Sequence, residues 1–332
     1  MRTPAGTCIP FTSGAAIRIR RRRSPPDDGF GGPSPRGRVA GYRDRRGAGL
    51  TTDFDTTVAT CAGDLELRGS AASDVGAVRA VNEDAFVAQP PVFVVADGMG
   101  GHAYGDRASG IVAEVFAERF PEPVPTDPVA VVGAIDEANA RVQALITDED
   151  GPGVVAGTTV TGLALVEVDP NGDGAAAPHW MIFNVGDSRV YGWNGRDVVQ
   201  ITVDHSAVQE LVHLGILTPE EALIHPDRNV ITRAVGSEPQ VQTDLWLMPV
   251  QGHQVFVVCS DGLTKELDDH EIAEIIGAYV DTDLAADSLA ATLVQRALDA
   301  GGRDNISVVV VESIAAGLDG VEAPAADASD DR

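Results

Sequence analysis

An α+β fold is what the order of elements in this sequence predicts, and three observations carry that reading. Short runs rich in Val, Ile and Thr, bounded by Gly, Asn and Asp, recur as strand candidates. Amphipathic stretches fall among them in an early and a late group, which is neither strict βαβ alternation nor an all-β pattern. The chain has 332 residues, 44% of them hydrophobic, and no internal repeat or interior linker divides it. That is enough apolar side chain for one sizeable core.

Taken in order, residues 1–62 are rich in Gly, Pro and Arg without periodicity and read as a disordered basic tail. The run Arg18-Ile19-Arg20-Arg21-Arg22-Arg23 is its most basic stretch. Residues 63–314 read as the folded domain and 315–332 as a flexible acidic tail. Strand candidates are Phe93–Ala96, Thr158–Val168, Trp180–Val185, Val190–Trp193, Val255–Val258 and Ile306–Val311. Helix candidates are Asp106–Phe120, Pro128–Ile146, Ser206–Leu214, Asp268–Tyr279 and Leu284–Ala300, the last with Leu284, Leu289, Leu293 and Leu298 near helical spacing.

Charge and cysteine usage narrow the function classes. Residues 1–50 hold eleven arginines against three acidic residues, a balance of +8, so the rest carries −34 within a total of −26. A body this acidic repels nucleic acid and anionic membranes. No run approaches the roughly 18 apolar residues that span a bilayer, and no apolar stretch follows the N-terminal arginines as a secretory signal requires. Cys8, Cys61 and Cys259 are odd in number, far apart and free of a CxxC pair. That pattern suits a reducing cytoplasm better than a disulfide framework. The chain contains a single lysine, Lys265, against 23 arginines, a bias read here as genomic composition.

Four aspartates sit where apolar strands end. Phe93–Ala96 runs into Asp97-Gly98, Phe183–Gly186 into Asp187-Ser188, and Phe256–Ser260 into Asp261-Gly262, while Asp304 precedes Ile306–Val311. A fifth acidic pair, Glu83-Asp84, precedes Ala85–Ala88. One Asp at a strand end is ordinary turn chemistry. Five such places are a constellation, since converging carboxylates repel unless protons or cations intervene. Oxygen donors without a Cys or His cluster point to magnesium or manganese rather than zinc. The same Asp97–Ala103 turn also fits GxGxxA, but a dinucleotide reading fails. Asp97 would face the pyrophosphate, and the acidic residue twenty positions on, Glu118, lies in a helix candidate instead of at a strand end.

An ordered series of motifs spans roughly residues 66–312. It comprises Ser73-Asp74-x-Gly76-x-x-Arg79-x-x-Asn82-Glu83-Asp84, Ala96-Asp97-Gly98-Met99-Gly100-Gly101-His102, Gly157-Thr158-Thr159 and Gly186-Asp187-Ser188-Arg189. Asp204-His205-Ser206, His225-Pro226, Cys259-Ser260-Asp261-Gly262 and Gly302-Arg303-Asp304-Asn305 follow. This series resembles the bacterial branch of the metal-dependent serine/threonine protein phosphatases, type 2C. The resemblance implies a four-layer αββα sandwich, two antiparallel sheets flanked by helix pairs. It implies a protein-serine/threonine phosphatase whose nucleophile is a hydroxide bridging two manganese or magnesium ions. Asp97 would bridge the ions, the Gly98 carbonyl would hold one, and Glu83, Asp261 and Asp304 would complete the pair. Arg79 would grip the substrate phosphate, a task for which a two-donor guanidinium fork is suited.

Eukaryotic relatives place a His directly after the first Asp-Gly. Met99 stands there in this chain, so His102 is the candidate general acid. A third ion near the flap would fall to Asp187 and Asp261, with Asn229 where some relatives offer serine. The flap itself reads as two short helices between about Asp204 and Asn229. Phosphorylated proteins, substrates of serine/threonine kinases, are the implied partners of a monomeric cytoplasmic enzyme. A non-catalytic phosphoprotein-binding regulator and a small-phosphoester hydrolase are the alternatives. Cys259, lacking a CxxxxxR context, reads as structural.

Overall fold

The computed structural model describes residues 50–99, 104–147, 156–169, 172, 174–282 and 288–315. In chain order these residues form β1 (Leu50–Thr60), β2 (Gly63–Asp74), β3 (Asp84–Gln89), β4 (Val92–Met99), α1 (Gly105–Arg119) and α2 (Pro128–Gln143). Next come β5 (Gly157–Thr158), β6 (Val160–Val168), β7 (Ala177–Val185), β8 (Arg189–Trp193) and β9 (Val198–Gln200). They continue with α3 (Ala207–His213), α4 (Pro219–Ile224), β10 (Asp244–Pro249) and β11 (His253–Cys259). The order ends with α5 (Asp261–Thr264), α6 (Asp269–Thr282), α7 (Leu289–Ala300) and β12 (Ile306–Ile314).

Two antiparallel sheets result, one ordered β1-β2-β12-β11-β8-β9 and the other β10-β7-β6-β4-β3, with β5 paired to β4. Strand alternation divides the apolar residues into three layers. Phe93 and Val95 of β4, Phe256 and Val258 of β11, and Val309 and Val311 of β12 fill the space between the sheets. Val92, Val94 and Ala96 turn the other way, onto α1 and α2. Val255, Val257, Cys259, Val308 and Val310 turn onto α6 and α7. Strands covered on both faces must be apolar at every position, which is why these read as unbroken hydrophobic runs. The expected four-layer αββα sandwich is therefore what the chain adopts. Cys259 lies inside one of its layers, and burial pushes its thiol up to about 12, as befits a packing residue.

The tail reading needs correction. β1 occupies Leu50–Thr60, inside the stretch expected to be disordered, and pairs with β2 along its whole length. Its Thr- and Asp-rich sequence hides a period-two pattern of half-buried and exposed residues, as an edge strand allows. Val58 is fully buried, and the Phe54 ring lies 5.2 Å from that of Phe93. The acidic residues lie at the strand margins, Asp304 two residues before β12 among them. Asp97 lies within β4, Asp187 lies two residues past β7, and Asp261 opens α5. The Arg18–Arg23 run and the residues from 316 onward lie outside the described residues.

Removing β1 should cost measurable stability. A chain beginning at Ala62 is expected to melt about 5–10 °C below one beginning at Leu50, given the Val58 and Phe54 surface lost. Equal melting temperatures by differential scanning calorimetry would show that the strand contributes nothing to the core.

Candidate functional site

The Asp97 backbone is fastened from both sides by the threonines of Gly157-Thr158-Thr159. Its N–H donates to Thr159 Oγ1 at 2.9 Å, and its carbonyl accepts from the Thr159 N–H and Thr158 Oγ1, each at 2.9 Å. Thr159 Oγ1 also bonds Ser188 Oγ at 2.8 Å, joining this turn to the Gly186–Arg189 motif. The side chain of Asp97 is thereby left to the cavity, its main-chain groups being already satisfied.

The loop carrying Arg79 and Glu83 is held by the Gly302–Asn305 motif, more than two hundred residues away in sequence. Asn305 Oδ1 accepts from the Glu83 N–H at 2.8 Å, and Asn305 Nδ2 donates to the carbonyls of Val75 and Val81 at 2.9 and 3.0 Å. The Ala77 N–H donates to the Gly302 carbonyl at 2.7 Å. Gly76 makes this approach possible. Its φ is +80°, and a Cβ there would collide with the Asp304 carbonyl oxygen. The Gly98 N–H in turn donates to the Glu83 carbonyl at 3.1 Å, setting Glu83 beside the Asp97-Gly98 turn.

The flap root is pinned to the turn that carries Asp187. The His205 N–H donates to the Gly186 carbonyl at 2.9 Å, and the Gly186 N–H donates to His205 Nδ1 at 3.1 Å. Arg189 grips Asp204 with three hydrogen bonds of 2.7–3.1 Å. The flap beyond forms α3 and α4, the latter opened by a capping box between Thr218 and Glu221. This matches the two short helices expected there. His225 accepts from the Asp227 N–H at 3.1 Å in a local turn.

A cavity of about 1350 Å³ gathers these segments. Arg79, Glu83, Asp97, Gly98, Asp187, Asn229, Asp261 and Asp304 all line it. His102, the candidate acid, lies outside the described residues.

Electrostatics at this cavity are dominated by carboxylates crowding one another. Asp84 and Asp97 face each other directly across β3 and β4, on the same side of the sheet. Burial, with Asp261 and Asp304 nearby, holds the Asp84 carboxyl up at about 7. Burial and then Asp84, Asp261 and Asp187 push Asp97 well above the usual carboxylate range. Burial, Asp261 and Asp204 raise Asp187 to about 7, and burial raises Glu83. Two side chains answer this excess. Lys265 Nζ lies 2.5 Å from Asp261 Oδ2 and 2.8 Å from Asp304 Oδ2, and Arg79 lies 2.8 Å from Asp304 Oδ1. Burial opposes ionisation of Asp304, yet Lys265 and then Arg79 hold its carboxyl below its ordinary value.

Arg79 thus rests on Asp304 with its side chain half exposed. The sequence marks Asp84 as half of an acidic pair and Lys265 as the single lysine, but gives neither a role of its own at the site. Asp84 is buried, accepts from Ser260 Oγ at 2.8 Å, and follows Glu83 so directly that the pair reads as one acidic site. The single lysine was visible, but composition alone cannot reveal that it sits among these carboxylates.

The donors suit a hard divalent cation. They are oxygen atoms throughout, their mutual repulsion calls for positive charge, and Oδ1 of both Asp84 and Asp261 is buried without a hydrogen-bond partner. Among the described residues, no three acidic, His or Cys side chains are already drawn together as a formed cation cage.

Comparison with known proteins gives a consistent picture. The family model described as protein phosphatase 2C matches residues 76–299. The serine/threonine phosphatase stp of Listeria monocytogenes is 33% identical over 229 residues, 67% of this chain and 84% of that protein. The serine/threonine protein phosphatase PstP of Mycobacterium tuberculosis is 35% identical over 252 residues, 75% of this chain and 46% of that protein. The catalytic domain of the serine/threonine protein phosphatase PstP, solved with two manganese ions, superposes with a TM-score of 0.62 at 32% identity. That match covers 76% of this chain and 100% of the solved one.

The raised carboxyl of Asp97 makes a prediction about stability in chelator. Its folded form keeps a proton that the unfolded chain releases near about 3.9. The fold therefore binds more protons above that value, and stability is lost as pH climbs toward the folded value. Asp97→Asn removes this penalty. Its melting temperature in chelator should exceed that of the unaltered protein by a margin that widens from about pH 5 to about pH 8. A flat or reversed margin in a thermal-shift series would contradict the crowding described here.

Proposed function

The chain belongs to the protein phosphatase 2C family, and from that premise we propose that it hydrolyses phosphoserine and phosphothreonine in proteins with two manganese or magnesium ions. The observation that carries the proposal is the meeting of Arg79, Glu83, Asp97, Gly98, Asp261 and Asp304 at one cavity. In this reading Asp97 serves both ions. Glu83 and the Gly98 carbonyl serve one of them, and Asp261 and Asp304 the other. Bound there, the ions would supply a water of lowered pKa and neutralise charge on the phosphoryl group. Glu83 and Gly98 are joined by a backbone hydrogen bond, which supports grouping them on one side. Lys265 spans Asp261 and Asp304, which supports grouping those two on the other.

Arg79 is the phosphate-binding residue of this proposal. Its half-exposed guanidinium can turn from Asp304 and offer two parallel donors to a phosphoryl oxygen pair. His102 remains the candidate donor of a proton to the leaving serine or threonine oxygen. Asp187 and Asp261, with Asn229 from the flap, are proposed to hold a third ion. Burial and the charge of Asp261 raise the Asp187 carboxyl, as expected for a group that gains from a cation. Among the described residues no helix is long and apolar enough to cross a membrane.

The proposal is tested with purified protein, a phosphopeptide panel and added manganese, magnesium or chelator. Turnover should require the cation, and Asp97→Asn should lower it about a thousand-fold or more, since charge stabilisation at the reacting centre is lost. Asp187→Ala should bind the two central ions as before yet lose much of its phosphopeptide activity. Undiminished turnover after exhaustive chelation would overturn the proposal. Equal activity of Asp187→Ala and the unaltered protein would remove the third ion from it.

A further inference from the structure

The two-ion reading gives no role to the single lysine of the chain, although Lys265 lines the cavity and touches two of the proposed ligands. Lys265 caps α5, the short helix that Asp261 opens. Its N–H donates to the Asp261 carbonyl at 2.8 Å, so residues 261 and 265 are fixed relative to each other before the side chains meet. The next residue, Glu266, has a fully covered side chain that accepts from the Arg303 N–H at 2.8 Å and from its guanidinium at 2.8–2.9 Å. That clamp sets the Lys265–Glu266 segment beside the Arg303–Asp304 segment. The ammonium of Lys265 is therefore delivered by rigid neighbours to a point 2.5 Å from Asp261 Oδ2 and 2.8 Å from Asp304 Oδ2.

These oxygens belong to the two residues that serve one ion in the proposed reading. Among the described residues, Glu83 has no ion pair as close as those of Lys265 with Asp261 and Asp304. The charge of Arg79 also reaches Glu83, but its 2.8 Å ion pair runs to Asp304 Oδ1. An ammonium and a divalent ion cannot both bond the same pair of oxygens at close range without strong repulsion. Resting on the proposed two-ion reading, we propose that Lys265 is a built-in competitor for the ion held by Asp261 and Asp304. It neutralises that half of the carboxylate cluster and sets the free cation concentration at which the second ion enters. The ion held by Glu83 and the Gly98 carbonyl feels Lys265 only at second hand, through Asp97, on which the lysine's charge also acts. The two positions consequently differ in affinity, and that difference is written into one side chain.

Isothermal titration of manganese into the full chain tests this directly, comparing it with Lys265→Gln and Lys265→Arg. Lys265→Gln should tighten one of two binding events by about ten-fold or more, because a like charge a few ångströms from the ion is gone. The other event should move in the same direction but by clearly less, since Lys265 reaches it only through the shared Asp97. Lys265→Arg keeps the charge and should keep the weaker event weak. In chelator Lys265→Gln should melt below the unaltered protein, since Asp261 and Asp304 lose their counter-ion, and saturating manganese should close that gap. Two unchanged affinities in Lys265→Gln would overturn the proposal, and so would a weakened one, which would make Lys265 a support for the ion. If manganese binds neither the unaltered protein nor any variant, the two-ion reading itself fails, a result distinct from either.

Discussion

Repulsion among carboxylates at the rim of the sandwich is the constraint around which the rest of the site is arranged. Asp84 and Asp97 stand opposite one another on adjacent strands, and Asp187, Asp261 and Asp304 close on them from other elements. No fold would keep that many acidic groups together for stability's sake, because each adds to the desolvation and repulsion borne by the others. The surroundings answer with a polar framework that is unusually well bonded. Ser73, Ser260 and Ser307 link Asp84 to the strand interior, and Asn305 and the paired threonines tie down the loops. What the cluster lacks is positive charge, and Lys265 and Arg79 supply part of it.

The same constraint explains why motifs far apart in sequence are one structural unit. Asn305 bonds the loop that carries Glu83, Thr159 bonds both Asp97 and Ser188, and His205 bonds the turn before Asp187. Several of these short motifs join a charged group to small residues that let its backbone approach the next motif. Gly76 is the clearest case, since any side chain there would strike the backbone that carries Asp304. A flap whose root is locked by Arg189 and His205 can vary in its outer helices without disturbing Asp187.

Much of this was legible from the residues alone. The doubly buried strands announced themselves as unbroken apolar runs, and the acidic residues at their margins pointed to one cation-binding edge. The layers of the sandwich came from family resemblance, and pairing order supports it. β1 was hidden because its Thr, Asp and Phe residues alternate on an edge, directly after a Gly-, Pro- and Arg-rich segment. β10 was missed because Leu245, Trp246, Leu247 and Met248 are all only half buried, giving no alternation to read. Lys265 illustrates a different limit. Its uniqueness is visible in composition, but its meaning comes from a tertiary clamp between Glu266 and Arg303 that no local pattern encodes.

The central claim is that this crowded rim is a two-cation centre organised on Asp97. Anomalous scattering from crystals grown with manganese measures that claim most directly. Two strong peaks are expected within bonding distance of the Asp97 carboxylate, one also beside Glu83 and the Gly98 carbonyl, the other beside Asp261 and Asp304. Absence of anomalous density at Asp97 under saturating manganese, or peaks that avoid these residues, would contradict the account.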